Sequence, residues 1–189
     1  MKKKQVKTLV IGLILVALLI GFYYYLSNRT SDEQSEETEV ITQTQQVLLR
    51  NLDMNYPPSP KEVVKYFCDI TQCFYNEEHT DEEIYQLGMQ IQKLYDDELV
   101  ANQTEDEYIQ NLISDVANMK KNELVISSYA TSSSTDVEYF TEDGYEWARL
   151  YCNFGIRQGT KLINTNERFL LRKDADGHWK IYGWELVED

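Results

Sequence analysis

The apolar residues of this chain change their spacing once, near Lys121, and that change limits the architectures open to it. Before it they recur at intervals of three and four: Val63, Phe67, Ile70 and Phe74; Ile84, Leu87, Ile91 and Leu94; Ile109, Leu112, Val116 and Met119. Such intervals put side chains on one face of an α-helix. After Lys121 apolar and polar residues alternate, as on strands with one buried face. Helices gathered in one half and strands in the other give an α+β domain, with three helices packed on an antiparallel sheet.

Each helical stripe is announced by the same start signal. Ser59-Pro60-Lys61-Glu62, Thr80-Asp81-Glu82-Glu83 and Thr104-Glu105-Asp106-Glu107 read as capping boxes. The Ser or Thr oxygen accepts a free N–H of the first turn while the Glu reaches back, and the acids oppose the positive end of the helix dipole. Tyr56-Pro57-Pro58-Ser59-Pro60 holds all three prolines and marks where the domain is expected to begin, at residue 57. The alternating half breaks into runs at 123–130, 137–140, 145–158, 162–173 and 178–187, which gives four to five strands. Gly155 and Gly183 fall inside runs, where glycine marks a bulge or sharp bend, so the sheet is expected to be strongly curved.

Asp174-Ala175-Asp176-Gly177 has the look of a calcium loop, but its ligand set fails. With Gly177 at the sixth position of an EF-hand loop, Arg172 falls at the first and Gly183 at the twelfth, where acids are needed. Asp-Gly between two alternating runs is a hairpin turn instead.

Three helices before a curved antiparallel sheet that ends in "DADGHWKIYGWEL" (Asp174–Leu186) resemble the nuclear transport factor 2-like superfamily. The resemblance covers residues 57–189 and implies a cone-shaped domain whose helices pack across a bent sheet. It implies little about activity, because that superfamily includes isomerases, dehydratases, transport factors and accessory domains. Its enzymes work with Asp, His or Tyr groups at the mouth of the cone.

The first residues carry a different message. Lys2, Lys3, Lys4 and Lys7 precede Thr8–Ser27, twenty residues without a charge. As a helix rising about 1.5 Å per residue, that run matches the roughly 30 Å hydrocarbon core of a bilayer. Tyr23, Tyr24 and Tyr25 close it where a signal peptidase needs small residues, and they suit an interfacial aromatic belt. The lysines place residues 1–7 in the cytoplasm, residues 8–27 across the cell membrane as a single span, and the remainder outside. Residues 28–56 are polar and acidic and read as a flexible tether, although Ile41, Thr44, Leu48 and Leu52 share a helix face at its far end. Beyond the span, 14 basic residues face all 32 acidic ones, a formal charge of −18. That balance excludes nucleic acid as a partner.

No Ser-His-Asp order, zinc spacing, phosphate loop or nucleophile elbow is present, so neither a catalytic residue, nor a metal site, nor a cofactor is assigned. His79 and His178 are expected to be exposed, Asp96-Asp97 to be solvated, and Cys68, Cys73 and Cys152 to be buried free thiols, Cys152 being the one within reach of either other. The suggestive feature is a second sheet face. Parity along the strands sets Leu150, Phe154, Phe169, Leu171, Trp179 and Ile181 under the helices. It turns Trp147, Tyr151, Leu170, Tyr182 and Trp184 the other way, with Arg149 and Arg168 among them. Aromatics mixed with Arg suit a recognition surface. The expected function is therefore a membrane-anchored, non-catalytic binding or assembly domain of the cell envelope, recognising a protein partner or a second copy. The alternatives are that residues 47–56 cover this face, or that the cone holds a small molecule or an isomerase- or dehydratase-like site. A filled cone would exclude the enzyme, and a deep polar cavity with a shifted carboxylate would favour it over the binding reading.

Overall fold

Capping chemistry sets where the helices begin. The computed structural model describes residues 41–187, in which α1 spans Gln43–Leu48, α2 Pro60–Asn76, α3 Asp81–Gln92, α4 Asp97–Val100 and α5 Glu105–Lys121. Thr80 with Glu83, and Thr104 with Glu107, form both halves of the expected capping box. Ser59 forms only the forward half, accepting from the Glu62 N–H at 3.3 Å, with Pro60 at the first helical position. A further box, Thr42 with Gln45, starts α1.

α1 moves the start of the domain back to Ile41, because the segment expected as the end of the tether is folded onto the helices. Val47 and Leu52 are buried, the Tyr66 hydroxyl donates to the Val47 carbonyl at 2.8 Å, and Thr44 Oγ1 donates to Glu77 at 2.6 Å. Of the face noted from Ile41 to Leu52, Thr44 and Leu52 are buried and Leu48 is half-buried, whereas Ile41 precedes α1 and is exposed. Among the described residues no helix is long and apolar enough to cross a membrane; the expected span, residues 8–27, lies outside them.

Five antiparallel strands follow: β1 Leu124–Thr131, β2 Glu138–Glu142, β3 Tyr145–Gln158, β4 Lys161–Lys173 and β5 Trp179–Leu186. The order is β1-β3-β4-β5, with β2 also paired to β3. Asp143 and Gly144 both have positive φ, as a two-residue hairpin turn between right-twisted strands requires. Asp174–Gly177 is likewise a turn: the Asp174 carboxylate accepts the amides of Asp176 and His178, and Gly177 sits at φ +84°. Both interior glycines adjoin register shifts. Ser127 is the extra residue opposite Gly155–Ile156, and a Cβ on Gly155 would lie 2.6 Å from Ser128 Oγ. Tyr182 is the extra residue between the Leu171–Ile181 and Leu170–Gly183 pairs. Each bulge bends and twists its strand.

The helix-facing side of the sheet carries the core. Ala148, Leu150, Cys152, Phe169, Leu171 and Ile181 are fully buried there and meet α2, which packs on β1, β3 and β5. Cys68 of α2 faces Cys152 with the sulfurs 3.5 Å apart, and all three cysteines are buried free thiols. Burial pushes the Cys68 thiol far up and that of Cys73 to about 12, so neither is a nucleophile at neutral pH. Beyond β5, Leu94–Asp96 runs alongside as an edge: the Asp96 amide donates to the Ile181 carbonyl at 2.9 Å, and the Ile181 amide to the Leu94 carbonyl at 2.8 Å.

Candidate functional site

α5 is the helix that the sheet does not fully bury. Of its apolar stripe only Val116 is buried, while Ile109, Leu112 and Met119 keep partial exposure. The unfilled space beside it is a cavity of about 510 Å³, within the size range of small-molecule sites. α2, α3 and α5 wall it, the Tyr95–Gln103 segment closes one end, and β1, β3, β4 and β5 supply the floor. Seven of its lining residues are aromatic, three of them tyrosines: Tyr75, Tyr95 and Tyr108. Burial pushes the Tyr108 hydroxyl up to about 12 and raises those of Tyr75 and Tyr95, so all three remain neutral donors. Two carboxylates also line the cavity, Asp115 and Glu167, and no basic side chain among the described residues does.

Glu167 is the unusual group. It pairs with Cys152 across the β3–β4 ladder and so points to the helix side, where its desolvation raises the carboxyl above the ordinary range. Among the described residues no charged or hydrogen-bonding neighbour offsets that burial. Two residues earlier on the same face, Thr165 Oγ1 is buried without a hydrogen-bond partner among the described residues. A carboxyl raised in the folded state favours folding below its unfolded value of about 4.3, and that contribution is lost as pH rises through the folded value. Glu167→Gln is therefore expected to raise the melting temperature by a few degrees at neutral pH and to leave it unchanged in acid. Thermal melts of both proteins across that window check this.

Six of the seven residues assigned to the outward face lie together there. Trp147 is paired with Arg172, Arg149 with Leu170 and Tyr151 with Arg168 across the β3–β4 ladder, and Tyr182 packs edge-on to Trp147 at 5.1 Å. Trp184 does not join them. The bulge at Tyr182 shifts the alternation by one residue and pairs Trp184 with Phe169, so its ring stacks on Phe169 and lies 5.1 Å from Phe67 and 5.8 Å from Tyr95. It stands at the mouth of the cavity, 41% exposed. Residues 47–56, the expected cover of the outward face, pack instead on α2, on α3 and on the start of β5: Tyr66 and Gln90 hold the Val47 and Arg50 carbonyls, and the Tyr56 hydroxyl donates to the Trp179 carbonyl. The arginines of the outward face are already engaged: Arg149 with Glu138 and the Phe140 ring, Arg168 with Glu185, and Arg172 with Asp96 and Glu98.

Three expectations about polar residues change. Asp96 is 4% exposed rather than solvated, because Arg172 reaches it from β4 with Nε 2.9 Å from Oδ2. His79 is half-buried, with Nε2 2.6 Å from the Cys73 carbonyl. His178 is also half-buried, stacked on Tyr56 at 4.3 Å. Neither histidine lines the cavity. Glu167, the residue that sets the cavity's character, was not singled out from the sequence. The signal was present: Glu167 shares the parity of Phe169 and Leu171, and a carboxylate in register with a core face needs a reason to be there.

A comparison with curated proteins finds no match. The family described as a domain of unknown function (DUF6715) matches residues 1–184, nearly the whole chain, and this protein belongs to that family.

Proposed function

We propose that the domain is a non-catalytic receptor for a small amphipathic molecule, a nuclear transport factor 2-like cone held outside the cell membrane by residues 8–27. The observation that carries this reading is the cavity of about 510 Å³, with its mostly apolar lining that includes seven aromatic residues. A packed core would have closed over α5; here an apolar stripe is left facing open space, and such surface is stabilised when a ligand fills it. The outward face suits a partner less well, because the charges of its arginines are met within the domain. Acid–base catalysis by Glu167 has its raised carboxyl in favour. Against it, no second proton-carrying group bonds that carboxyl, and a general acid needs an oriented partner or substrate proton within hydrogen-bond reach.

The test is calorimetric titration of the full-length chain in lipid nanodiscs with probes that share a phenylbutyl body and differ in their end group, empty nanodiscs serving as blank. At least one probe is expected to bind saturably at one per chain, unchanged by the encounter. Leu112→Trp, which places an indole in the cavity, is expected to abolish that binding while the chain stays folded. If no probe binds, or if Leu112→Trp binds as the wild type does, the cavity is not the site.

A further inference from the structure

The charge of the lining narrows the ligand class. We propose that the cavity takes an organic ammonium: an amine or quaternary nitrogen on an apolar body, its charge towards Glu167 and Asp115 and its body among the aromatic rings. This rests on the reading of the cavity as a ligand site. Every polar group that lines it is an acid or is neutral, and cations are absent from the lining among the described residues. An anion placed there would meet two carboxylates at close range. A neutral ligand would leave Glu167 as it is, desolvated without compensation, whereas an ammonium supplies the missing counter-charge. Aromatic faces favour the same choice, since the negative face of a ring attracts a desolvated cation. Tyr75 connects the two features, because its ring belongs to the lining and its hydroxyl feels the negative charge of both Asp115 and Glu167. The acidic balance of the chain adds a long-range pull on cations towards the mouth.

The pH dependence follows from what faces Glu167. Tyr75 and Cys68 approach it from α2 and Cys152 from β3, Asp115 stands on α5, and Leu186 is its partner on β5. None of these brings a positive charge. Burial raises the Tyr75 hydroxyl and the Cys68 thiol, so both stay neutral, and Glu167 is the group on the floor that brings charge. Affinity for an ammonium should rise with pH as Glu167 ionises, and ammonium binding should release its proton.

The experiment uses the full-length chain in nanodiscs and three probes of one length: 4-phenylbutylamine, 4-phenylbutan-1-ol and 4-phenylbutanoate. At neutral pH the amine is expected to bind at least about tenfold more tightly than the alcohol, and the carboxylate more weakly than either. As pH rises through the raised Glu167 carboxyl the amine should tighten while the alcohol stays constant. Glu167→Gln should remove most of the amine's advantage over the alcohol without weakening the alcohol itself. If the alcohol or the carboxylate binds as well as the amine, the ammonium assignment is wrong although the cavity still binds ligands. If none of the three binds, the cavity reading fails and the assignment goes with it. Should Glu167→Gln not fold, the charge order on the wild type decides. Asp115→Asn at the exposed rim then serves as the second variant, expected to weaken the amine alone.

Discussion

Replacing Arg172 by alanine is expected to destabilise the domain by about 3–5 kcal/mol, the cost of leaving one member of a buried ion pair behind. Arg172 donates through Nε to Asp96 Oδ2 at 2.9 Å and through Nη1 to Glu98 at 2.8 Å, while its Nη2 holds Asp96 Oδ1. Its guanidinium also lies 5.0 Å from the Tyr182 ring centre and 4.7 Å from that of Tyr145, so it fills the space between aromatic residues as well as carrying charge. Without it, Asp96 stays in place through the backbone bonds that tie Leu94–Asp96 to β5, and its carboxylate loses the guanidinium that met both of its oxygens. The same carboxylate caps α4 by accepting the Glu98 amide at 3.0 Å. Arg172→Lys keeps the charge but not the fork, so a loss between those of the wild type and the alanine variant is expected. The comparison is Arg168→Ala, whose partner Glu185 is exposed and whose loss should leave stability nearly unchanged. Urea unfolding of the variants measures both. Equal, small losses would show that the Asp96–Arg172 pair does not lock the strand edge.

Much of this fold is legible in the sequence because local chemistry and tertiary structure agree. The starts of α2, α3 and α5 coincide with their Ser or Thr caps, and all five strands follow the alternating runs. What was not legible depends on single-residue events or on distant partners. Parity is a reliable guide to sheet faces only while register holds. One extra residue at Tyr182 sends Trp184 from the outward face to the cavity mouth, and Gly183 signalled that a break was near without fixing its position. Asp96 looked like a solvated helix end because Arg172, 76 residues away, became its neighbour only through folding. The cavity itself has no local signature. The α5 stripe reads as a buried helix face, and only the assembled domain shows that Leu112 and Met119 line open space.

Truncating Phe169 to alanine is the second change expected to have a large effect, a loss of about 3–5 kcal/mol. Its ring is fully buried, meets Phe67 edge-on at 5.3 Å and lies beneath Trp184 at 6.0 Å. The gap left behind adjoins space that is already open, so neighbouring side chains have little support for closing over it, and the full cavity cost remains. Trp184→Ala should behave differently although the two rings are stacked. With 41% of its surface already in water, Trp184 loses less burial on truncation, and a cost nearer about 1–2 kcal/mol is expected. Its larger effect should fall on binding, because its ring forms part of the cavity wall. The affinity for 4-phenylbutylamine should drop by about tenfold or more, the loss of one aromatic contact to a desolvated cation. Chemical denaturation and calorimetric titration of the two variants separate these outcomes. Equal, large destabilisation would place Trp184 inside the core. An unchanged affinity in a stable Trp184→Ala protein would mean that ligands do not pass or touch this mouth.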